Sequence, residues 1–161
     1  MFIRIAVSLA LLAGGAAAQV GPASAYWDAQ KSSAVHDLVS AFNQIASHAG
    51  RMRVAMSQPD ADAFDAVMLD MMGALASFPG ISWKDKPTSA AIRPVEARPG
   101  RVSQLKPEVE AMVRFFERLQ KSSSDTAGRK LFADAQRSAR KMAAALPNVL
   151  PTVAGLPVRL P

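Results

Sequence analysis

Four segments of this chain space their apolar residues at intervals of three and four, the period of an α-helix packed on one face. In the first, Val35, Leu38, Phe42, Ile45, Ala49, Met52 and Met56 form one stripe. The second carries Phe64, Val67, Met68, Met71 and Leu75, and the third Val109, Met112, Val113, Phe116 and Leu119. The fourth carries Leu131, Phe132, Ala135, Ala139, Met142 and Leu146. No stretch reads as a strand, and there is no internal repeat. The pattern predicts an all-α domain, an antiparallel four-helix bundle over 26–146. The long connection from 81 to 102 is the crossover such a bundle can contain.

Breakers and caps set the expected boundaries. The first helix should run unbroken from Val35 to Met56. The second should begin after Gln58-Pro59, with Asp60 as its N-cap, and end at Phe78-Pro79-Gly80. The third should start near Ser103 or at Pro107, since proline is tolerated in a first turn. The run Ser122-Ser123-Ser124-Asp125 should end it, with Asp125 or Thr126 capping the fourth helix. Pro147 should end the fourth helix. The remainder, 147–161, is proline-rich and apolar, and its prolines predict an extended tail that either lies against the bundle or stays free, disordered or as an anchor for another protein.

The amino terminus reads as a secretory signal over 1–25. Arg4 precedes the apolar run Ile5–Ala13, which is too short to cross a bilayer. Ala16-Ala17-Ala18 before Gln19 offers cleavage after residue 18, and Ala23-Ser24-Ala25 before Tyr26 offers cleavage after residue 25. The expected location is a bacterial periplasm, with no membrane span left after cleavage. That compartment permits disulfides, but the chain has no cysteine, so packing must hold the fold. The formal charge is +6, from 19 basic and 13 acidic residues. The basic residues are dispersed and not interleaved with aromatics, which argues against nucleic acid as a partner.

Two strings carry a family resemblance. Ile45-Ala46-Ser47-His48-Ala49-Gly50-Arg51-Met52 resembles the first-helix signature of cytochrome c prime and its low-spin relatives. Phe132-Ala133-Asp134-Ala135-Gln136-Arg137-Ser138-Ala139-Arg140-Lys141-Met142-Ala143 resembles that family's last helix. The spacing of Leu105, Met112 and Leu119 matches its third-helix stripe, and the similarity covers roughly Ser33 to Ala145. The resemblance implies haem c, electron transfer or small-gas binding, a redox partner, and a homodimer through the first two helices. In the family the last-helix string contains Cys-x-x-Cys-His. Here Ala139 and Met142 occupy the thioether positions and Ala143 the axial histidine position. Ile45 stands where low-spin relatives place a sixth ligand. The expectation is therefore a bundle without covalent haem, acting as a binding or interaction protein.

One other constellation has ligand chemistry. His48, Met52 and Met56, at i, i+4 and i+8, share one helix face, and imidazole with thioethers suits copper. Copper, or a noncovalent haem, held there is the alternative reading. Against it, Met52 and Met56 continue the core stripe, where methionine fills irregular gaps. No phosphate loop, Ser/His/Asp set or zinc motif is present, so the chain does not read as an enzyme.

Overall fold

A computed structural model describes residues 27–29, 33–78, 80–83 and 98–154. The fold is all-α. Five α-helices occur among the described residues: α1 (Ser33–Ser47), α2 (Ala49–Val54), α3 (Gln58–Ala76), α4 (Leu105–Ser122) and α5 (Thr126–Ala154). A 3₁₀ turn, Pro99–Gln104, leads into α4. Residues 1–25, where a signal is expected, and residues 155–161 of the expected tail lie outside the described residues.

The apolar stripes close into one core. Phe42, Ile45, Met52, Phe64, Met68, Leu105, Phe116, Phe132 and Met142 are all buried in it. Burying one such large side chain contributes about 1.5–3 kcal/mol, so the core supplies what disulfides do not. The most extensive backbone approaches are those of α5 to α4 and of α5 to α1. Small residues on α5 permit them, because Ala135, Ser138, Ala139 and Ala145 keep no bulk between the helices. Longer side chains, Phe64, Met68, Met71, Met72 and Leu75, join α3 to the rest. Phe64 meets Phe116 edge-on, with ring centroids 6.0 Å apart.

Several boundaries differ from expectation. The first helix breaks at His48. There the amide bonds back three residues to the Ile45 carbonyl (3.2 Å), and the His48 carbonyl accepts from Met52 N–H (3.0 Å). Gly50, two residues on, is a weak helix former, and the two helices meet at that point. Ser57, not Asp60, is the N-cap of α3. Its Oγ accepts from the Asp60 N–H (3.4 Å) and donates to the Asp60 carboxylate (2.9 Å), while Asp60 sits three positions into the motif. Asp125 caps α5 as expected, accepting from the Gly128 N–H at 2.7 Å.

Two short strands pair where none was expected: β1 (Trp27–Ala29) runs antiparallel to β2 (Ile81–Trp83), with Trp27 opposite Trp83. Each is three residues long, too short for alternation to register in the sequence. Gly80, at φ 83°, makes the turn into β2. The 3₁₀ turn is tied to α3 by charge. Asp70 accepts from Arg98 at 2.7 Å and from Arg101 at 2.9 Å, and the Arg98 N–H donates to the Gly73 carbonyl at 2.9 Å.

The expectation that Pro147 ends the last helix is corrected, because α5 continues to Ala154. Pro147 has no N–H to give the Ala143 carbonyl, and Pro151 likewise leaves that of Pro147. The helix persists because Leu146 and Val149, on either side of Pro147, are buried in the core. Tertiary burial here outweighs the local defect. Pro147 itself is exposed, so replacing it removes no packing. Pro147→Ala should therefore stabilise the protein, by up to about 3 kcal/mol, read as a higher urea midpoint with an unchanged slope.

One ion pair lies deep between α2 and α3. Arg53 Nη2 meets Asp65 Oδ2 at 2.9 Å, with the side chains only 13% and 19% exposed. The second carboxylate oxygen and Arg53 Nε find no partner among the described residues. Burial therefore outweighs the guanidinium and raises the Asp65 pKa. A carboxyl with a raised folded-state pKa favours folding below its ordinary value of 3.8 and loses that contribution as pH rises through the raised one. The stability of the wild type relative to Asp65→Asn should accordingly fall as pH rises above 3.8, measured by urea melts. The opposite slope would mean that Arg53 dominates.

Candidate functional site

The seven residues singled out by sequence fall into two environments. Ile45, Ala139, Met142 and Met52 are fully buried in the core, and Ala143 and Met56 pack against it half-buried. His48 stands apart at the break between α1 and α2, also half-buried. It lines a cleft of about 340 Å³ between α1 and α5. From α1 the cleft takes Gln44 and Ile45, and from α5 Asp134, Ala135, Arg137, Ser138 and Lys141. Neither Met52 nor Met56 lines it. Among the described residues, no group of three or more His, Asp or Glu side chains gathers to hold a metal ion.

The cleft floor is closed by a hydrogen bond between the two helices. Ser138, 7% exposed, donates its Oγ–H to Gln44 Oε1 at 3.0 Å. His48 Nδ1 faces Arg51 Nη2 at 2.6 Å. A guanidinium can only donate, so Nδ1 accepts, and the neutral ring carries its proton on Nε2. On the α5 rim, Arg137 pairs with Asp134 at 3.1 Å, while Lys141 is exposed and has no ion-pair partner among the described residues.

The donor set decides how a haem would fit. Covalent attachment needs two thiols, and the chain has none. Ala139 and Ala143 offer no donor atom. Met142 offers a thioether sulfur, but its side chain is fully buried among apolar neighbours. The Ser138–Gln44 bond joins α1 and α5 directly beside Ile45, and a macrocycle between these positions would have to part the helices. These residues do not fit a c-type haem.

No protein-family model matches this chain, and neither a curated protein nor a solved structure matches it.

Arg137, Arg140 and Lys141 lie on the exposed face of α5, and no motif in the sequence singles out Gln44 or Ser138. The signal for Ser138 was present. It lies three residues after Ala135 and four before Met142, so a hydroxyl falls within the apolar stripe and needs a partner. Its partner is 94 residues away in sequence, on a different helix, and periodicity carries no information about which helix faces which.

The tightness of the α1–α5 contact can be measured. Ala139 has no exposed surface, so Ala139→Leu should overpack the interface and cost about 1–3 kcal/mol in chemical denaturation. A neutral or stabilising effect would reveal space beside Ala139.

Proposed function

We propose that this protein is an exported, antiparallel four-helix bundle resembling cytochrome c prime, with α1 and α2 serving together as one kinked first helix. It works without covalent haem, as a binding or interaction protein and not an enzyme. A periplasmic location and a homodimer through its first two helices follow from the same resemblance and signal segment. The observation that carries the proposal is the state of the family's cofactor positions. Ala139 and Met142 are packed into the core, Ile45 is buried opposite, and a direct hydrogen bond joins the helices beside them. In place of a cofactor, α1 and α5 present a polar cleft to solvent. A family label of electron transfer would rest on fold alone.

The test is the visible spectrum of the protein expressed in a periplasm competent for cytochrome maturation, followed by acid–acetone extraction. No haem should remain with the denatured chain. A Soret band surviving extraction would overturn the proposal. Copper held by His48, Met52 and Met56 is a separate outcome. A Cu(I) titration showing stoichiometric binding that disappears in the Met52→Leu, Met56→Leu double variant would replace the cofactor-free reading. Leucine preserves volume, so the variant should keep its fold.

A further inference from the structure

The α1–α5 cleft is unusual in what it presents. His48 carries its proton on Nε2, because Nδ1 accepts from Arg51. Gln44 uses its carbonyl oxygen to accept from Ser138, which leaves its amide N–H groups as its remaining polar function. Lys141 is a cation without an ion-pair partner among the described residues, and Arg137 is a second cation, paired with Asp134. The one carboxylate in the lining, Asp134, is already engaged by Arg137. Donors therefore outnumber free acceptors around a space of about 340 Å³. Such a set stabilises a small anion through charge-assisted hydrogen bonds.

Gln44 and Lys141 also line a second cleft, of about 460 Å³, farther along the same two helices. Its walls include Ser33, Ser40 and Asn148, side chains that hydrogen-bond hydroxyl groups, together with Asp37. The two clefts meet at the shared Gln44 and Lys141. Ala34, Ala41, Ala144 and Ala145 also line the second cleft, and their small side chains leave room for a ligand chain. No exposed aromatic ring lines either cleft, so stacking against a large planar or saccharide face is not offered.

We propose that this groove binds a small hydroxylated carboxylate. Its carboxylate sits against Lys141, Arg137 and His48, and its hydroxyls extend along the Ser40 and Asn148 wall. The assignment rests on the reading of the protein as a binding bundle and names the ligand class of that cleft.

The test uses the full secreted protein and D-gluconate as the probe, titrated by heteronuclear NMR with the His48 ring and the α1 and α5 amides observed. Saturable shifts confined to those groups are expected. Propionate, which has the carboxylate without hydroxyls, should bind more weakly. Lys141→Gln and Arg137→Gln, both at exposed positions, should each weaken gluconate about tenfold, the loss of one charged contact. Lys130→Gln, an equally exposed change on the same helix outside both clefts, should leave binding unchanged. Linear, non-saturating shifts, or equal losses in all three variants, would overturn the site in favour of diffuse charge attraction. Inorganic phosphate or propionate binding as tightly as gluconate would overturn the ligand class. Haem extraction reads the cofactor-free proposal independently, so failure of the groove and failure of that proposal are distinguishable.

Discussion

The close approach of α1 to α5 is the constraint from which the rest of this structure follows. Helix axes can come near only where side chains are small. On α5, Ala135, Ser138, Ala139 and Ala145 meet that condition over three turns, and Ala41 and Ala46 do so on α1. Once the two backbones are near, a hydroxyl at 138 cannot reach water and must find a partner inside. Gln44 is that partner. The same proximity sets the cleft beside it, because polar residues on the outer edges of both helices converge where the helices touch.

The other side of the core is solved differently. Where α5 uses alanine, α3 uses methionine and phenylalanine. Met68, Met71 and Met72 are fully buried, and the consecutive run 71–75 is buried on every face of the helix. Unbranched thioether chains conform to irregular gaps that leucine or valine could not fill without strain. Enclosure is completed by the 3₁₀ turn, held over α3 by the Asp70 pairs and by the Gly73 carbonyl. That carbonyl accepts from both Arg98 N–H and Ser77 Oγ. These exposed and half-exposed ion pairs contribute little to stability individually. Their consequence is positional, since they determine where the long connection rejoins the helices.

The sequence made the helices legible wherever burial is periodic. Val35, Leu38, Phe42 and Ile45 on α1, and Val109, Met112, Phe116 and Leu119 on α4, are buried as their spacing requires. It was less informative where two local effects compete. At Ser57 and Asp60, both residue types are good caps, and only the reciprocal hydrogen bonds distinguish the N-cap from the third residue of the motif. At His48, the apolar stripe runs through the break without interruption, so periodicity reports one helix where backbone hydrogen bonding makes two. At Pro147, the local rule favours termination, yet burial of Leu146 and Val149 carries the helix onward. The polar cleft was illegible for another reason. Its walls lie 94 residues apart in sequence, and Gln44 and Lys141 are individually ordinary exposed residues, so only the pairing of the two helices reveals what the buried Ser138 hydroxyl meets.

The position of the α1–α2 break gives these observations a common origin. Beyond the break at His48, Met52 stays on the core stripe and Arg53 pairs with Asp65 on α3. The turn there also places Arg51 against the His48 ring, which fixes the tautomer that leaves Nε2–H as a donor. A single local interruption, at a residue followed closely by glycine, therefore links the packing of the core to the chemistry of the cleft. The same six-residue helix, α2, carries both the buried ion pair that couples it to α3 and the guanidinium that donates to the cleft histidine. Substitutions that restore a continuous helix would move both together, which makes the break a structural determinant of the candidate site and not a defect in the first helix.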